Sequence, residues 1–188
     1  MIINRKRGFI YLAVPRTGSR AVSNLLHEWF PETVRCGHHR MDVPPEYRGM
    51  FIFTVVRNPY ARILSYYRHR KRTESKLAEY SFRNYVEATV NETFPSIGLN
   101  NDRCCVDYPN IEYRCEMYRL EDINSWWPRL PIWNKNGAPD VPVANQSYKR
   151  FGGEFSEELA NVVFDYFKQD FDRFNYDKNS WNKVEVSI

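Results

Sequence analysis

The sequence lacks the long apolar segment that a membrane-spanning helix requires. None of its 188 residues lies in an uninterrupted apolar run of about eighteen, and the mean hydropathy is -0.64. The basic N-terminus, residues 1–7, is followed only by a strand-length apolar run, without a small-residue cleavage site. We therefore expect a soluble, cytoplasmic protein with no signal peptide and no membrane span.

Cysteine and histidine are scarce, and their spacing disfavours the common metal and redox motifs. The four cysteines are Cys36, Cys104, Cys105 and Cys115, and no CxxC pair occurs among them. We expect reduced thiols, as in cytosolic proteins, with a loop disulfide or a metal site as the alternative. Because the cysteines are scattered and the chain has only four histidines, we expect no zinc site.

The excess of positive charge is small. A formal net charge of +4 is too low to indicate a nucleic-acid-binding protein, although it suits an acidic ligand. Internal repeats and low-complexity tracts are also missing. At 188 residues the chain is predicted to form one domain, residues 1–188, with enough length to bury a core.

What the chain does contain is an alternation of short apolar runs and helical patterns. One helix is predicted from the turn at 15–20 to about residue 30, and a second after Pro59, with Ile63, Leu64 and Tyr67 as its buried stripe. Three more are predicted over 81–90, from residue 120, and from Ser156. Strands are predicted at 9–14, 33–36, 50–56 and 113–118. Residues 91–110 and 134–146 are predicted loops, the first of them a substrate-facing insert. The alternation predicts an α/β fold with a central, mostly parallel sheet flanked by helices.

A compact polar turn, residues 15–20, separates the first predicted strand from its helix. The turn reads Pro-Arg-Thr-Gly-Ser-Arg. A strand, a tight turn and a helix N-terminus together form an arrangement that binds phosphate, because the first backbone N–H groups of the helix lack partners. The Walker pattern GxxxxGK[ST] is absent, which disfavours nucleoside-triphosphate hydrolysis. The alternative is an ordinary strand–helix turn.

A second polar turn follows the strongest predicted strand. Arg57 stands where this strand ends, and Ser65 lies about two turns into the next helix if Pro59 is near its start. Because ligands bind beyond the carboxyl ends of parallel strands, a guanidinium and a hydroxyl there can share a second phosphate. The alternative is that Arg57 caps the sheet and Ser65 only packs.

Taken together, the two turns resemble those of the sulfotransferases that use 3′-phosphoadenosine 5′-phosphosulfate (PAPS). Residues 14–26, VPRTGSRAVSNLL, resemble the 5′-phosphosulfate loop PKTGTT or PKTAGT, and residues 55–67, VVRNPYARILSYY, resemble the 3′-phosphate motif RNPxxRxxSxY. Residues 119–122, 145–147 and 166–176 are similar to the R-x-E-D, N-x-S and final-helix segments of the carbohydrate-type branch, which includes heparan-sulfate 2-O-sulfotransferases. The resemblance implies a P-loop-like, three-layer fold.

The resemblance also implies roles for individual residues. Arg57 and Ser65 would hold the 3′-phosphate, while donors to the 5′-phosphosulfate would come from Thr17, Gly18, Ser19 and Arg20. Arg16 stands where the family usually has a lysine that steadies the leaving oxygen. Arginine stays protonated at working pH, so Arg16 can stabilise negative charge but cannot donate a proton.

A histidine pair is the candidate general base. His38 and His39 follow the second predicted strand, and a histidine pKa near 6.5 suits proton removal from an acceptor hydroxyl. Relatives of the carbohydrate type often have a catalytic histidine in this region, and His39 fits that resemblance better than His38. The alternative is a surface pair or half of a metal site.

Two further groups of side chains each have two interpretations. The basic run Arg68 to Arg72 is either a solvated helix end or the border of a groove for an acidic acceptor. Trp126, Trp127 and Trp133 either stack on sugar rings or pack in the core, and core packing is the favoured interpretation.

The sequence therefore predicts a metal-free enzyme that transfers a sulfuryl group from PAPS to an acceptor hydroxyl. The expected acceptor is a glycan or a small molecule, and no nucleic acid is expected as a partner. Two alternatives stay open: a nucleotide-dependent phosphotransferase, and a catalytically silent nucleotide- or glycan-binding module on the same fold.

Overall fold

The structure is a computed structural model, and it describes residues 1–37, 41–93, 105, 114–134, 137–140 and 153–182. These residues contain one five-stranded sheet with the strand order β3-β1-β2-β4-β5. Its strands are β1 (Ile2–Asn4), β2 (Phe9–Leu12), β3 (Val34–Arg35), β4 (Phe51–Val56) and β5 (Glu116–Arg119).

The sheet is mixed but largely parallel. Strand β4 pairs in parallel with both β2 and β5, whereas β1 pairs antiparallel with both β2 and β3. Four strands therefore run in one direction, which confirms the predicted α/β fold. Strand β1 was not predicted, because its short sequence Ile-Ile-Asn gives no periodic pattern and is joined to β2 by the turn at residues 5–8.

The described helices begin close to the predicted positions. They are α1 (Ser19–Trp29), α2 (Pro59–Thr73), α3 (Phe82–Val90), α4 (Ile123–Trp126), α5 (Glu157–Tyr166) and α6 (Lys168–Phe174). None of the helices in the described part of the chain is long and apolar enough to cross a bilayer. The predicted loops at 91–110 and 134–146 fall mostly outside the described residues.

Helix α2 differs from its prediction in the extent of its burial. The expected stripe of Ile63, Leu64 and Tyr67 is buried, but so are the polar residues Arg62 and Ser65. A helix buried around most of its circumference cannot be amphipathic in the simple sense. Its polar side chains must therefore find partners inside the protein.

The chain divides into two compact units. The first comprises Met1–Arg57 and Asp107–Asn145, and the second comprises Asn58–Val106 and Gln146–Ile188. The first unit contains the sheet with α1 and α4, and the second contains α2, α3, α5 and α6. Each unit buries several aromatic side chains: Phe9, Tyr11, Phe53 and Trp127 in the first, and Tyr60, Phe82, Phe155 and Phe171 in the second.

Candidate active site

The turn that follows β2 is held closed from inside. After β2 ends at Leu12, the Thr17 hydroxyl donates to the Val14 carbonyl at 2.9 Å, and the Thr17 side chain is fully buried. The backbone N–H of Val14 also donates to the Leu12 carbonyl at 3.1 Å. The hydroxyl proton of Thr17 thus fixes the turn from inside.

Two residues of this turn have left-handed backbones. Arg16 has φ 64° and Gly18 has φ 75°. At this positive φ a larger residue is strained, and a Cβ added at Gly18 would lie 3.0 Å from Cδ1 and 3.2 Å from Cδ2 of Leu120, so the Leu120 side chain would have to shift. Left-handed residues within a tight turn are typical of backbone nests, which present successive N–H groups to an anion. For Arg16, this conformation costs about 1–2 kcal/mol.

Helix α1 begins immediately after the turn, with its N-terminus free of competing acceptors. Gly18 is the N-cap, no side chain among the described residues caps the helix, and its first turn contains no acidic residue. Because α1 has 11 residues, its dipole and its first N–H groups favour an anion at this end. Ser19 is buried and Arg20 is exposed at this helix start.

Arg57 lies at the same edge of the sheet as this turn. Strands β2 and β4 are parallel neighbours, with Leu12 opposite Thr54, and Arg57 directly follows the end of β4. The structure therefore brings the predicted anion-binding turn and the predicted phosphate-binding arginine to one edge of the first unit.

A third arginine at this edge, Arg119, was not among the predicted site residues. It ends β5 opposite Val56, and the next residue, Leu120, is the one that faces Gly18. Its Nε lies 3.3 Å from the Asp122 carboxylate, and its carbonyl accepts from Trp126 Nε1 at 2.7 Å. In the sequence, Arg119 directly follows the predicted strand at 113–118, and this position could have identified it as a candidate site residue.

Ser65 belongs to the second unit, in the second turn of α2. Asn58 is the N-cap of the helix, and its side-chain oxygen accepts the Tyr60 N–H at 3.0 Å. Pro59 is the first helical residue. Ser65 is 2% exposed, and Arg62, one turn before it, is 1% exposed beside the buried Asp170. The motif RNPxxRxxSxY thus contains side chains that build α2 as well as those predicted to bind phosphate.

The two candidate bases, His38 and His39, lie outside the described residues. The chain just before them is fixed to the N-terminus: the Met1 ammonium donates to the Gly37 carbonyl at 3.1 Å, and the Cys36 N–H donates to the Met1 carbonyl at 2.9 Å. Among the residues that the structure describes, no group of three or more histidine, cysteine or acidic side chains is placed to hold a metal ion.

The basic run on α2 is largely engaged in packing and ion pairs. Arg70 is buried with its guanidinium over the rings of Tyr66 and Tyr85, and Arg68 lies 3.5 Å from Glu154. Lys71 lies over the ring of Tyr67. These contacts favour a structural role for the run over an acceptor groove.

The three predicted tryptophans also pack inside the first unit. Trp126 and Trp127 are buried, and Trp133 donates from Nε1 to the Trp127 carbonyl at 2.6 Å. Trp126 stacks on Tyr118 with 4.8 Å between ring centroids. Core packing, rather than sugar stacking, therefore accounts for these residues.

Burial keeps several weak acids near the sheet in their neutral form. The pKa of the Tyr11 hydroxyl on β2 is raised by its complete burial. Burial, assisted by the charge of neighbouring Glu116, raises the pKa of the Cys115 thiol to about 12. Burial therefore delays the ionisation of this phenol and this thiol as the pH rises.

Comparison with protein-family models shows that the chain matches the sulfotransferase family. The model of the sulfotransferase family matches residues 1–129, which include both strand-end turns and the whole of α2. Comparisons with curated proteins and with solved structures found no match.

Proposed function

The chain belongs to the sulfotransferase family, and from this premise we propose that it transfers a sulfuryl group from PAPS to an acceptor hydroxyl. The observation that carries the proposal is the turn between β2 and α1, where left-handed Arg16 and Gly18 precede a helix that no described side chain caps. A phosphosulfate is the kind of anion that such a turn accommodates.

The residues of the first unit fit the 5′ end of this donor. Backbone N–H groups of Thr17, Gly18 and Ser19 would bind its oxygens, and the exposed Arg20 would add a charged donor at the rim. The absence of a Cβ at Gly18 lets the turn keep its left-handed conformation and pack closely against Leu120.

Arg16 is proposed to stabilise the charge that develops on the bridging oxygen. PAPS supplies the sulfuryl group and leaves as adenosine 3′,5′-bisphosphate. A guanidinium is always protonated, so Arg16 contributes a fixed positive charge and no proton. Donors already in place when charge develops lower the barrier most, and the left-handed backbone of Arg16 is part of that preorganisation.

The 3′-phosphate is assigned to Arg57 and Ser65. This assignment is supported by the match of residues 57–67 to RNPxxRxxSxY, and by the position of Arg57 at the end of β4. A guanidinium and a hydroxyl together supply charge-assisted hydrogen bonds to phosphate oxygens. Recognition of this phosphate distinguishes PAPS from nucleotides that lack it.

For the acceptor side, we propose His39, with His38 as the alternative, as the base that removes the hydroxyl proton. The proposed acceptor is a carbohydrate, and the proposed location of the reaction is the cytoplasm. The similarity of residues 119–122, 145–147 and 166–176 to the carbohydrate-type branch supports this acceptor class.

Calorimetry with adenosine 3′,5′-bisphosphate tests the donor assignment. We expect the purified protein to bind the bisphosphate and to prefer it over ATP, whereas preference for ATP would favour the phosphotransferase alternative. An acceptor screen with radiolabelled PAPS, with mass spectrometry locating the sulfate, then tests transfer. Normal bisphosphate binding without transfer to any acceptor would indicate a silent binding module.

Single substitutions test the catalytic assignments. Arg16→Ala should lower kcat by about 100-fold while bisphosphate binding falls less, because its contact strengthens only as charge develops. A base must be unprotonated to act, so the wild-type rate should fall toward acid pH, and His39→Ala should abolish this fall. Full turnover in the double variant His38→Ala/His39→Ala would remove the pair from the mechanism.

A further inference from the structure

Helix α2, which carries Ser65, is attached to a later part of the chain at successive positions. We propose that the segment Lys168–Asn182 positions Ser65 for the 3′-phosphate, with Asp170 acting through Arg62; this rests on the proposed function. The family model ends at residue 129, so the positioning segment lies beyond the matched region.

The first two attachments are hydrogen bonds near the start of α2. The Asn58 amide donates to the Ser180 hydroxyl at 2.8 Å, and the Tyr60 hydroxyl donates to the Lys178 carbonyl at 2.8 Å. The Tyr60 ring is fully buried and packs edge-on against Phe171, with 5.0 Å between centroids. These contacts fix the N-terminal turn of α2 against the segment.

The third attachment is a buried ion pair. Arg62 Nη1 lies 3.9 Å from Asp170 Oδ2, and the two side chains are 1% and 0% exposed. The same carboxylate oxygen accepts the Cys105 N–H at 2.7 Å. Two charges buried together are costly to separate, because each would lose its partner of opposite charge inside the protein. The pair therefore holds α2 in one rotation and one register against α6.

Ser65 lies one helical turn beyond Arg62. Residues at positions i and i+3 of a helix are neighbours on the same face, so the partner that fixes Arg62 also fixes the path of the Ser65 backbone. Ser65 is 2% exposed, which leaves its hydroxyl little freedom to correct a displaced helix. Small displacements of a binding group are sufficient to lose much of its contribution.

A comparison of two nucleotides isolates this positioning role. Adenosine 3′,5′-bisphosphate and adenosine 5′-monophosphate differ only in the 3′-phosphate, so the ratio of their affinities reports the 3′-phosphate contacts, which are assigned to Arg57 and Ser65. We expect Asp170→Asn to lower bisphosphate affinity by about tenfold or more, while monophosphate affinity stays close to wild type. A merely structural role for Asp170 would change the melting temperature and leave this ratio intact.

A matched control is available in the same unit. Glu158→Gln removes the exposed ion pair between Glu158 and Arg83, whose atoms lie 3.1 Å apart, and should leave the affinity ratio unchanged. If Asp170→Asn does not fold, the milder double variant Tyr60→Phe/Ser180→Ala tests the same attachments. It removes the hydrogen bonds of the Tyr60 hydroxyl to the Lys178 and Ala160 carbonyls and those of the Ser180 hydroxyl to Asn58 and Asp177. It keeps the buried ring of Tyr60, and it should also reduce the ratio.

The outcomes separate this inference from the proposed function. A wild-type affinity ratio in the folded variants would overturn the positioning role alone. A wild-type protein that binds the two nucleotides equally would overturn the assignment of the 3′-phosphate site itself, and with it the role of the segment.

Discussion

The two polar turns of the candidate site begin their helices in opposite ways. The turn after β2 leads into α1 through Gly18, which provides no capping side chain and has a left-handed backbone. The turn after β4 leads into α2 through Asn58, whose side chain accepts the Tyr60 N–H at 3.0 Å. Within the described part of the chain, a side chain thus caps α2 but not α1.

This difference bears on which atoms would bind each phosphate of the proposed donor. At the start of α1 the proposed donors are backbone N–H groups, and the sequence need only permit the turn. At the start of α2 the Asn58 side chain already accepts the Tyr60 N–H, so the proposed 3′-phosphate contacts come from side chains, namely Arg57 before the helix and Ser65 within it. Substitutions should therefore have unlike effects at the two turns.

The largest expected effect is the loss of the side-chain donor Arg57. Arg57→Ala should weaken binding of adenosine 3′,5′-bisphosphate by about 100-fold, because a charge-assisted contact to phosphate is removed. Calorimetry measures the loss, and adenosine 5′-monophosphate should be affected much less. Arg129→Ala serves as the control, since Arg129 is exposed and donates to the Ser125 carbonyl of the preceding helix α4. Equal losses for both nucleotides would contradict the assignment.

A smaller effect is expected at the backbone-built turn. Gly18→Ala and Gly8→Ala both introduce a side chain at positive φ, 75° and 70°, but only at Gly18 does the added Cβ meet Leu120. Each variant should lose about 1–2 kcal/mol of unfolding free energy from backbone strain. Only Gly18→Ala should also lose nucleotide affinity, by about tenfold, and the double variant Gly18→Ala/Leu120→Ala should recover part of it. Comparable affinity in the two single variants would exclude the turn from binding.

A still smaller effect concerns the cap that closes α2. Asn58→Ala should lower the unfolding free energy by about 1 kcal/mol or somewhat more, because the cap and the hydrogen bond to Ser180 are both lost. Ser81→Ala, which removes only the cap of α3, is the matched control and should cost less. Urea unfolding measures both variants. If the two costs are equal, the bond to Ser180 contributes nothing to stability.

The features of the two turns that could be predicted from the sequence are those marked by neighbouring residues in the chain. Strands β2 and β4 are apolar runs that end at polar turns, and the proline after Asn58 marks the start of α2. The left-handed conformation of Arg16 has no such signal, because it depends on the Val14–Thr17 bond and the packing around the turn. The burial of Arg62 likewise depends on Asp170, more than one hundred residues away in sequence, which no local pattern reveals.

The last expected effect uses pH to separate nucleotide binding from stability. Folding raises the pKa of the Cys115 thiol from its ordinary value of 9.0 to about 12, so the folded protein holds a proton that the unfolded chain releases. This stabilisation is complete below pH 9 and is lost as pH rises from 9 toward 12, at up to about 1.4 kcal/mol per pH unit. Urea unfolding from pH 7.5 to 10.5 should show falling stability, and Cys115→Ala should show a shallower fall.

Nucleotide binding should not follow this fall in stability. Guanidinium groups and backbone N–H donors do not titrate in this range, so the bisphosphate affinity of the folded protein should stay constant. A free energy of unfolding that does not change across this range would contradict the burial of the thiol. A bisphosphate affinity that falls together with stability would show that titrating groups, rather than arginines and backbone N–H groups, hold the nucleotide.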